Sequence, residues 1–284
     1  MNVGLVGNRR YRPLADLLAK FSAEAERLGV KLYPEPSLAD LLPGPAGMLD
    51  AHSVEIIVSL GGDGTLLRGA RESCTRGIPI VGINLGHLGF LSAAGPDMAV
   101  EALTRISRKL YRVEERRALS VRIGDGAAAL AVNDAVVHKG GVARVIRMSV
   151  TVDGEPVGTY SADGIIVSTA TGSTAYSMSA GGPIVVPGVD AFVITPICPH
   201  TLAVRPLVVP ATSIIALRVL DPVPRPEDLL VSLDGQSTGT LSTHQDVTVV
   251  SAQAPVLLAQ ITEESFYKRL TRKLAWGDLA ERTY

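Results

Sequence analysis

Between residues 54 and 76 an apolar, β-branched segment, Val54 to Leu60, runs directly into Gly61-Gly62-Asp63-Gly64-Thr65 and then into a helix-forming stretch, Leu66 to Arg76. A buried strand that ends in a glycine turn and opens a helix is half of a βαβ unit. It commits the chain around it to a parallel sheet covered by helices. The flanking sequence alternates in the same way. Val3 to Val6 reads as a strand, and Leu14, Leu17, Leu18, Phe21, Ala25 and Leu28 recur at helical spacing before a stop at Gly29. Lys31 to Tyr33 and Pro79 to Ile83 read as further strands, Leu42 to Gly47 as a loop, and Met98 to Lys109 as a helix.

Beyond about Tyr111 the apolar period shortens to two. Ser120 to Ile123, Ala129 to His138, Val145 to Val152, Val157 to Tyr160, Ile214 to Leu220, Leu229 to Leu233, Val247 to Val250 and Val256 to Ile261 read as strands. Asp153-Gly154 marks a tight hairpin, because both residue types accept positive φ. Phe266 to Trp276 is helical again and has to dock elsewhere, with the first domain as the expected partner. The expected organisation is an α/β domain over residues 1–110, rejoined by 265–284, and a mostly antiparallel β domain over 111–264.

Composition sets limits on function. With 284 residues, 46% hydrophobic and 19% charged, the chain has enough apolar surface for folded cores without disulfides or a structural metal. Lys+Arg 27 against Asp+Glu 28 gives a formal net charge of -1. No global field then draws in nucleic acid or anionic lipid, so phosphate binding has to come from a local site. Two cysteines, Cys74 and Cys198, argue against a disulfide framework or a Cys-rich zinc site. No apolar run approaches the roughly 20 residues of a membrane span. Met1 to Val6 lacks the layout of a secretory signal, so the cytoplasm is the expected location.

Four stretches carry candidate chemistry. The glycine turn at 61–65 lets backbone approach a phosphate, and the helix start behind it favours an anion. Asp63 is an anion inside that presumed anion site; it either caps the helix, or binds a metal, or accepts a proton from a nucleophilic hydroxyl. The second stretch, Asp163 to Pro183, is a strand followed by a loop dense in Ser, Thr and Gly, suited to ribose hydroxyls and phosphate oxygens or to an ordinary turn. The third, Asn133-Asp134, either reads the donors and acceptors of a ligand or marks a bulge or strand end. The fourth is Gly82 to Phe90, whose glycines suit close packing or a ligand-side loop, with His87 read as structural. The five histidines show no metal spacing, and no metal-ligating residue is nominated.

Taken together, these stretches resemble the NAD kinases of the bacterial ATP- or polyphosphate-dependent type. The likeness runs through GGDGTLLR at 61–68, GINLGHLGFL at 82–91, EERRAL at 114–119 and ND at 133–134. It continues through DGIIVSTATGSTAYSMSAGGPIV at 163–185, CPHTLAVRPLVVP at 198–210, DGQ at 234–236 and FYKRLTRKLAW at 266–276. The resemblance implies a phosphofructokinase-like, Rossmann-like α/β domain followed by a β-sandwich, with the C-terminal helix returning to the first domain. It also implies transfer of the terminal phosphoryl group of ATP or polyphosphate to the 2′-hydroxyl of the adenosine ribose of NAD. Asp63 would be the general base, and Gly61, Gly62, Gly64 and Thr65 would cradle donor phosphate. The implied NAD contacts are Asp63, Gly64, Arg68, Asn133, Asp134, Arg144, Asp163, Thr174, Ala175, Tyr176, Ser177, Met178, Ser179 and Gln236. Magnesium would come with the donor, and a homotetramer or homodimer is implied, with a neighbouring subunit contributing to the site.

Three positions depart from the family pattern. Ala170 stands where proline is usual, Asp134 where glutamate is common, and Ser161 where many members have a basic residue. Two other functions compete. A lipid kinase shares GGDGT but calls for a membrane-facing amphipathic surface, which is not visible here. A non-catalytic NAD sensor would keep the pocket and lose the base, whereas Asp63 is present.

Overall fold

The structure is a computed structural model that describes residues 1–42, 49, 54–86, 89–140, 145–201, 203–221, 229–242 and 245–276. The chain divides into two compact units, Met1–Glu115 with Leu257–Tyr284, and Arg116–Val256. Its first part runs β1 (Asn2–Gly7), α1 (Leu14–Leu28), β2 (Lys31–Pro34), β3 (Ile56–Gly61), α2 (Asp63–Cys74), β4 (Ile80–Asn84), α3 (Ala99–Ser107) and β5 (Arg112–Arg116). Next come β6 (Leu119–Ile123), β7 (Ala129–Ala131), β8 (Asp134–Lys139), β9 (Ile146–Val152), β10 (Glu155–Ala162), β11 (Gly164–Thr169), α4 (Tyr176–Ser179) and β12 (Ala191–Ile197). The remainder is β13 (Leu207–Pro210), β14 (Ile215–Val219), β15 (Leu229–Leu233), β16 (Gln236–Thr240), β17 (Asp246–Ser251), β18 (Val256–Gln260) and α5 (Phe266–Leu274).

In the first unit one six-stranded sheet has the order β2-β1-β3-β4-β18-β5. β1 pairs parallel with β2 and β3, and β3 with β4. Leu14, Leu18, Phe21 and Ala25 of α1 lie in one core with Leu5, Val58 and Ile83 of the sheet and Leu103 and Ile106 of α3. Burying a side chain such as Phe21 or Leu18 contributes about 2 kcal/mol. Helix α2 packs on the other face, where Gly69 sits against Val6 and Ile80. The helix begins at Asp63 with Gly62 as its cap, so part of the glycine turn is already helical. The expected strand at Val256 to Ile261 does not join the antiparallel set: β18 pairs parallel with β4 at Leu258 and Ile80.

The second unit is a sandwich of two six-stranded antiparallel sheets, ordered β10-β9-β14-β17-β6-β7 and β13-β12-β11-β8-β15-β16. Met148, Leu217 and Val249 from the first meet Val137, Val167 and Val231 from the second in one core. The hairpin expected at Asp153-Gly154 is present, with φ of 54° and 85°. The run read as a single strand from Ala129 to His138 is broken at Val132-Asn133. There the chain leaves one sheet as β7 and enters the other as β8. Among the described residues no helix is long and apolar enough to cross a membrane.

Candidate active site

In the first unit Asp63 is the first residue of α2, and its side chain makes no helix cap. Its two oxygens are held from the segment that follows β4. The Phe90 amide donates to Oδ2 at 2.9 Å, and the Ser92 hydroxyl to Oδ1 at 3.1 Å. That segment folds back along β4, with Asn84 donating to the Ala94 carbonyl through its backbone N–H and Ala93 to that of Gly82. Residue 89 has to be glycine in this arrangement: a methyl there would fall on the Asp63 carboxylate. Of the glycines at 82–90, Gly89 packs on this carboxylate and Gly82 on Leu66 and Ser92. His87 lies outside the described residues. Thr65 is buried, its side chain lying over Gly61.

In the second unit a cavity of about 350 Å³ opens on the outer face of the sheet that contains β8. It is lined by Asn133, Asp134, Val136 and His138, by Ala175 and Tyr176, and by Ser232, Asp234 and Gly235. Residues 134, 136 and 138 share one face of β8 because strand side chains alternate. Asp234 organises its edge. It sits in the β15–β16 turn at φ 50°, and its Oδ1 accepts the backbone N–H groups of Val132, Asn133 and Asp134 at 3.0, 2.7 and 3.3 Å. Three successive amides on one carboxylate fix the corner where the chain changes sheets. The Asn133 side-chain oxygen is left buried without a hydrogen-bond partner, as is the Ser168 hydroxyl, whose residue pairs with Asp134. An unmet buried acceptor in a cavity wall is costly by itself, on the order of 1–3 kcal/mol, and is suited to a ligand donor.

Burial raises the Asp134 carboxyl from its ordinary 3.8 to about 7, and the nearby charge of Asp234 adds to the rise. Tyr176 and His138 are the other titratable groups lining the cavity. A carboxyl poised there can donate as well as accept near neutral pH. Between the unfolded and folded values the folded chain binds the extra proton, so this group favours folding most at the acid end and less as pH rises. Relative to the wild type, Asp134→Asn should therefore gain about 2 kcal/mol of stability between about pH 5 and about pH 7.5, measured by urea unfolding.

The segment after β11 covers the same sheet face, but most of its hydroxyls are engaged within the protein. Thr169 Oγ1 donates to the Val132 carbonyl at 2.8 Å and accepts the Gly172 N–H at 3.0 Å. Ser173 Oγ donates to the Ala170 carbonyl at 2.7 Å and accepts the Val185 N–H at 2.9 Å. Ser177 pairs with Thr195 at 2.8 Å, fully buried. The density of Ser and Thr thus builds the loop, which turns through a 3-10 segment, Gly172–Thr174, into the short helix α4. Ala175 and exposed Tyr176 are what this segment presents to the cavity.

Residues 46–111 match the ATP-NAD kinase N-terminal domain, and residues 132–261 match the ATP-NAD kinase C-terminal domain. An NAD kinase of Gemmatimonas aurantiaca is 43% identical over 287 residues, covering 99% of this chain and 98% of the relative. The chain belongs to the NAD kinase family. An NAD kinase of Solibacter usitatus is 41% identical, covering 97% of both chains. The structure of an Archaeoglobus fulgidus NAD kinase in complex with ATP superposes with a TM-score of 0.73 at 27% identity, covering 97% of this chain and 99% of that one. Yeast NADH kinase complexed with NADH superposes with a TM-score of 0.90 over 100% of this chain and 90% of that one; at 23% identity this shows the shared fold.

The residues implied by the family pattern are distributed unevenly. Asn133, Asp134, Ala175 and Tyr176 converge on one cavity. Thr174 and Ser177 are buried beside it, Ser179 and Gln236 are exposed, and Met178 is half-buried. Arg68 is ion-paired with the nearly buried Glu35, and its Nη2 donates to the Gly7 carbonyl at 3.0 Å. Burial alone would raise the Glu35 carboxyl; the Arg68 guanidinium and the Gly7 N–H outweigh it and hold it below the ordinary range. Asp163 is paired with Lys139 at 2.6 Å. It precedes β11, whose Gly164 pairs with His138 of the cavity wall, so it stands at the end of that wall away from Asp134. Arg144 lies outside the described residues. Sequence reasoning gave no role to Asp234, Phe90 or Ser92. The Asp-Gly pair at 234–235 signals a hairpin, but nothing local says which amides its carboxylate meets.

Proposed function

We propose that this chain phosphorylates NAD to NADP, transferring the terminal phosphoryl group of ATP or polyphosphate to the 2′-hydroxyl of the adenosine ribose. The cavity in the second unit carries the reading, because it combines a buried, unmet Asn133 acceptor, a carboxyl that can donate, and an exposed aromatic ring. Asn133 and Asp134 would hold ribose hydroxyls, and Tyr176 would stack on a ring of the dinucleotide. The glycine turn and the first amides of α2 in the first unit would take donor phosphate. Asp63, held by Phe90 and Ser92, would accept the proton of the attacking hydroxyl. A carboxylate is a weak base toward an alcohol, but a loose phosphoryl-transfer transition state asks for little proton removal early. Positioning and late proton capture are then sufficient.

The described residues hold no cluster of three or more His, Cys, Asp or Glu able to bind a metal. Magnesium would enter with the donor, carried mainly by the donor's own phosphates, where it would neutralise charge. A cytoplasmic homo-oligomer is the proposed setting, with neither membrane nor nucleic acid as a partner. Asp163, beside the His138 end of the cavity wall, would contribute to an NAD site shared with a neighbouring subunit.

The test is a matrix of ATP and polyphosphate against NAD and NADH with magnesium, product being read with an NADP-specific dehydrogenase. NADP formed from NAD is the expected result, and the matrix also reads donor and acceptor choice. Phosphorylation of diacylglycerol with NAD left untouched would overturn the assignment.

A further inference from the structure

Arg269 on α5 is 4% exposed, and a guanidinium withdrawn from water costs several kcal/mol unless its donors are satisfied. Its Nη1 donates to the backbone carbonyl of Phe90, and its Nε stands 3.5 Å from the Glu264 carboxylate. One turn further along the helix, Lys273 places Nζ 4.6 Å from the centroid of the Phe90 ring, a cation over an aromatic face. Just before the helix, the Thr262 hydroxyl donates to the Ala93 carbonyl at 3.1 Å. The segment 262–273 thus grips residues 90–93 at three points. These residues belong to the loop whose Phe90 amide and Ser92 hydroxyl hold the oxygens of Asp63.

We propose that Arg269 is a positioning residue for catalysis. By fixing the Phe90 carbonyl it fixes the amide on the other side of the same Cα, and with it the direction in which the Asp63 carboxylate points. Residues 89–92 belong to no helix or strand. The side chain from α5 therefore supplies the restraint that regular hydrogen bonding supplies elsewhere. A reacting group misplaced by about 1 Å loses on the order of 100-fold in rate. The proposal rests on Asp63 being the proton acceptor.

The experiment is a double-mutant cycle in the full chain with Asp63→Asn, Arg269→Ala and the two combined. Arg269→Ala should lower kcat by ~10–100-fold while the KM for NAD stays within about threefold, and millimolar guanidinium should restore part of the lost rate. In the Asp63→Asn background the same change should cost little more, because the two side chains act as one unit. If Arg269→Ala unfolds the chain, Arg269→Lys, which keeps the charge and loses the fork, carries the cycle instead. A kcat loss that multiplies fully with that of Asp63→Asn, or a rise in KM with kcat unchanged, overturns the positioning role. Wild-type turnover in Asp63→Asn alone is a different result: it removes the proton acceptor on which the proposal rests.

Discussion

Replacing Asp63 with asparagine should lower kcat by ~10²–10⁴-fold and leave NAD affinity within about threefold of wild type. The substitution is close to isosteric, and the local bonds can be remade. The amide oxygen still accepts the Phe90 N–H, and the amide nitrogen donates to the Ser92 hydroxyl where the carboxylate had accepted from it. The side chain therefore keeps its place and loses its ability to take a proton. Single-turnover phosphorylation of NAD reads the chemical step, and calorimetry reads binding. Unchanged turnover in a folded variant would take Asp63 out of the base role and leave it as a structural link between the glycine turn and the loop at 89–92.

The second large effect is expected from a single methyl group. Gly172→Ala would overlap the Asn133 carbonyl and bring the new carbon within 2.6 Å of the Asn133 Cα. The obstacle is backbone, not the far end of a flexible side chain, so the corner itself has to move. That corner is tied on both sides. The Thr169 N–H donates to the Asn133 carbonyl at 2.9 Å, and Asp234 accepts the amides of Val132, Asn133 and Asp134. Overpacking of this kind costs about 1–3 kcal/mol. A shift at Asn133 also carries Asp134 away from the cavity, so NAD affinity should fall at least ~30-fold in calorimetry, with a lower Tm, while the first unit stays native. Wild-type affinity in this variant would mean that the corner does not form the dinucleotide pocket.

What the sequence made legible was whatever depended on short-range pattern. The spacing of Leu14, Leu18, Phe21 and Ala25 located α1, and the turn at 61–65 located the junction of β3 and α2. β12 has no alternating pattern to mark it, because the strand is buried along its whole length, and Pro196 near its end reads against a strand. The change of sheet at Val132-Asn133 was hidden inside a continuous β-like stretch, since periodicity cannot tell one sheet from another. The same limit applies to the site. Asp63 and Asn133-Asp134 stood out, but Ser92 and Asp234 act at separations of 29 and about 100 residues, which no local pattern encodes. The hydroxyl-rich segment stands out by composition, but composition leaves a ligand surface and a self-bonded loop equally open, because Ser and Thr serve a backbone as readily as a ligand.

The return of the chain to its first sheet has a consequence for synthesis. A ribosome finishes residues 116–256 as one uninterrupted stretch, which can condense by itself, while the earlier sheet still waits for β18 and the helix beyond it. The grip on Phe90 arrives with that last helix. The loop that holds Asp63 is thus made early and braced last, by the final helix of the chain.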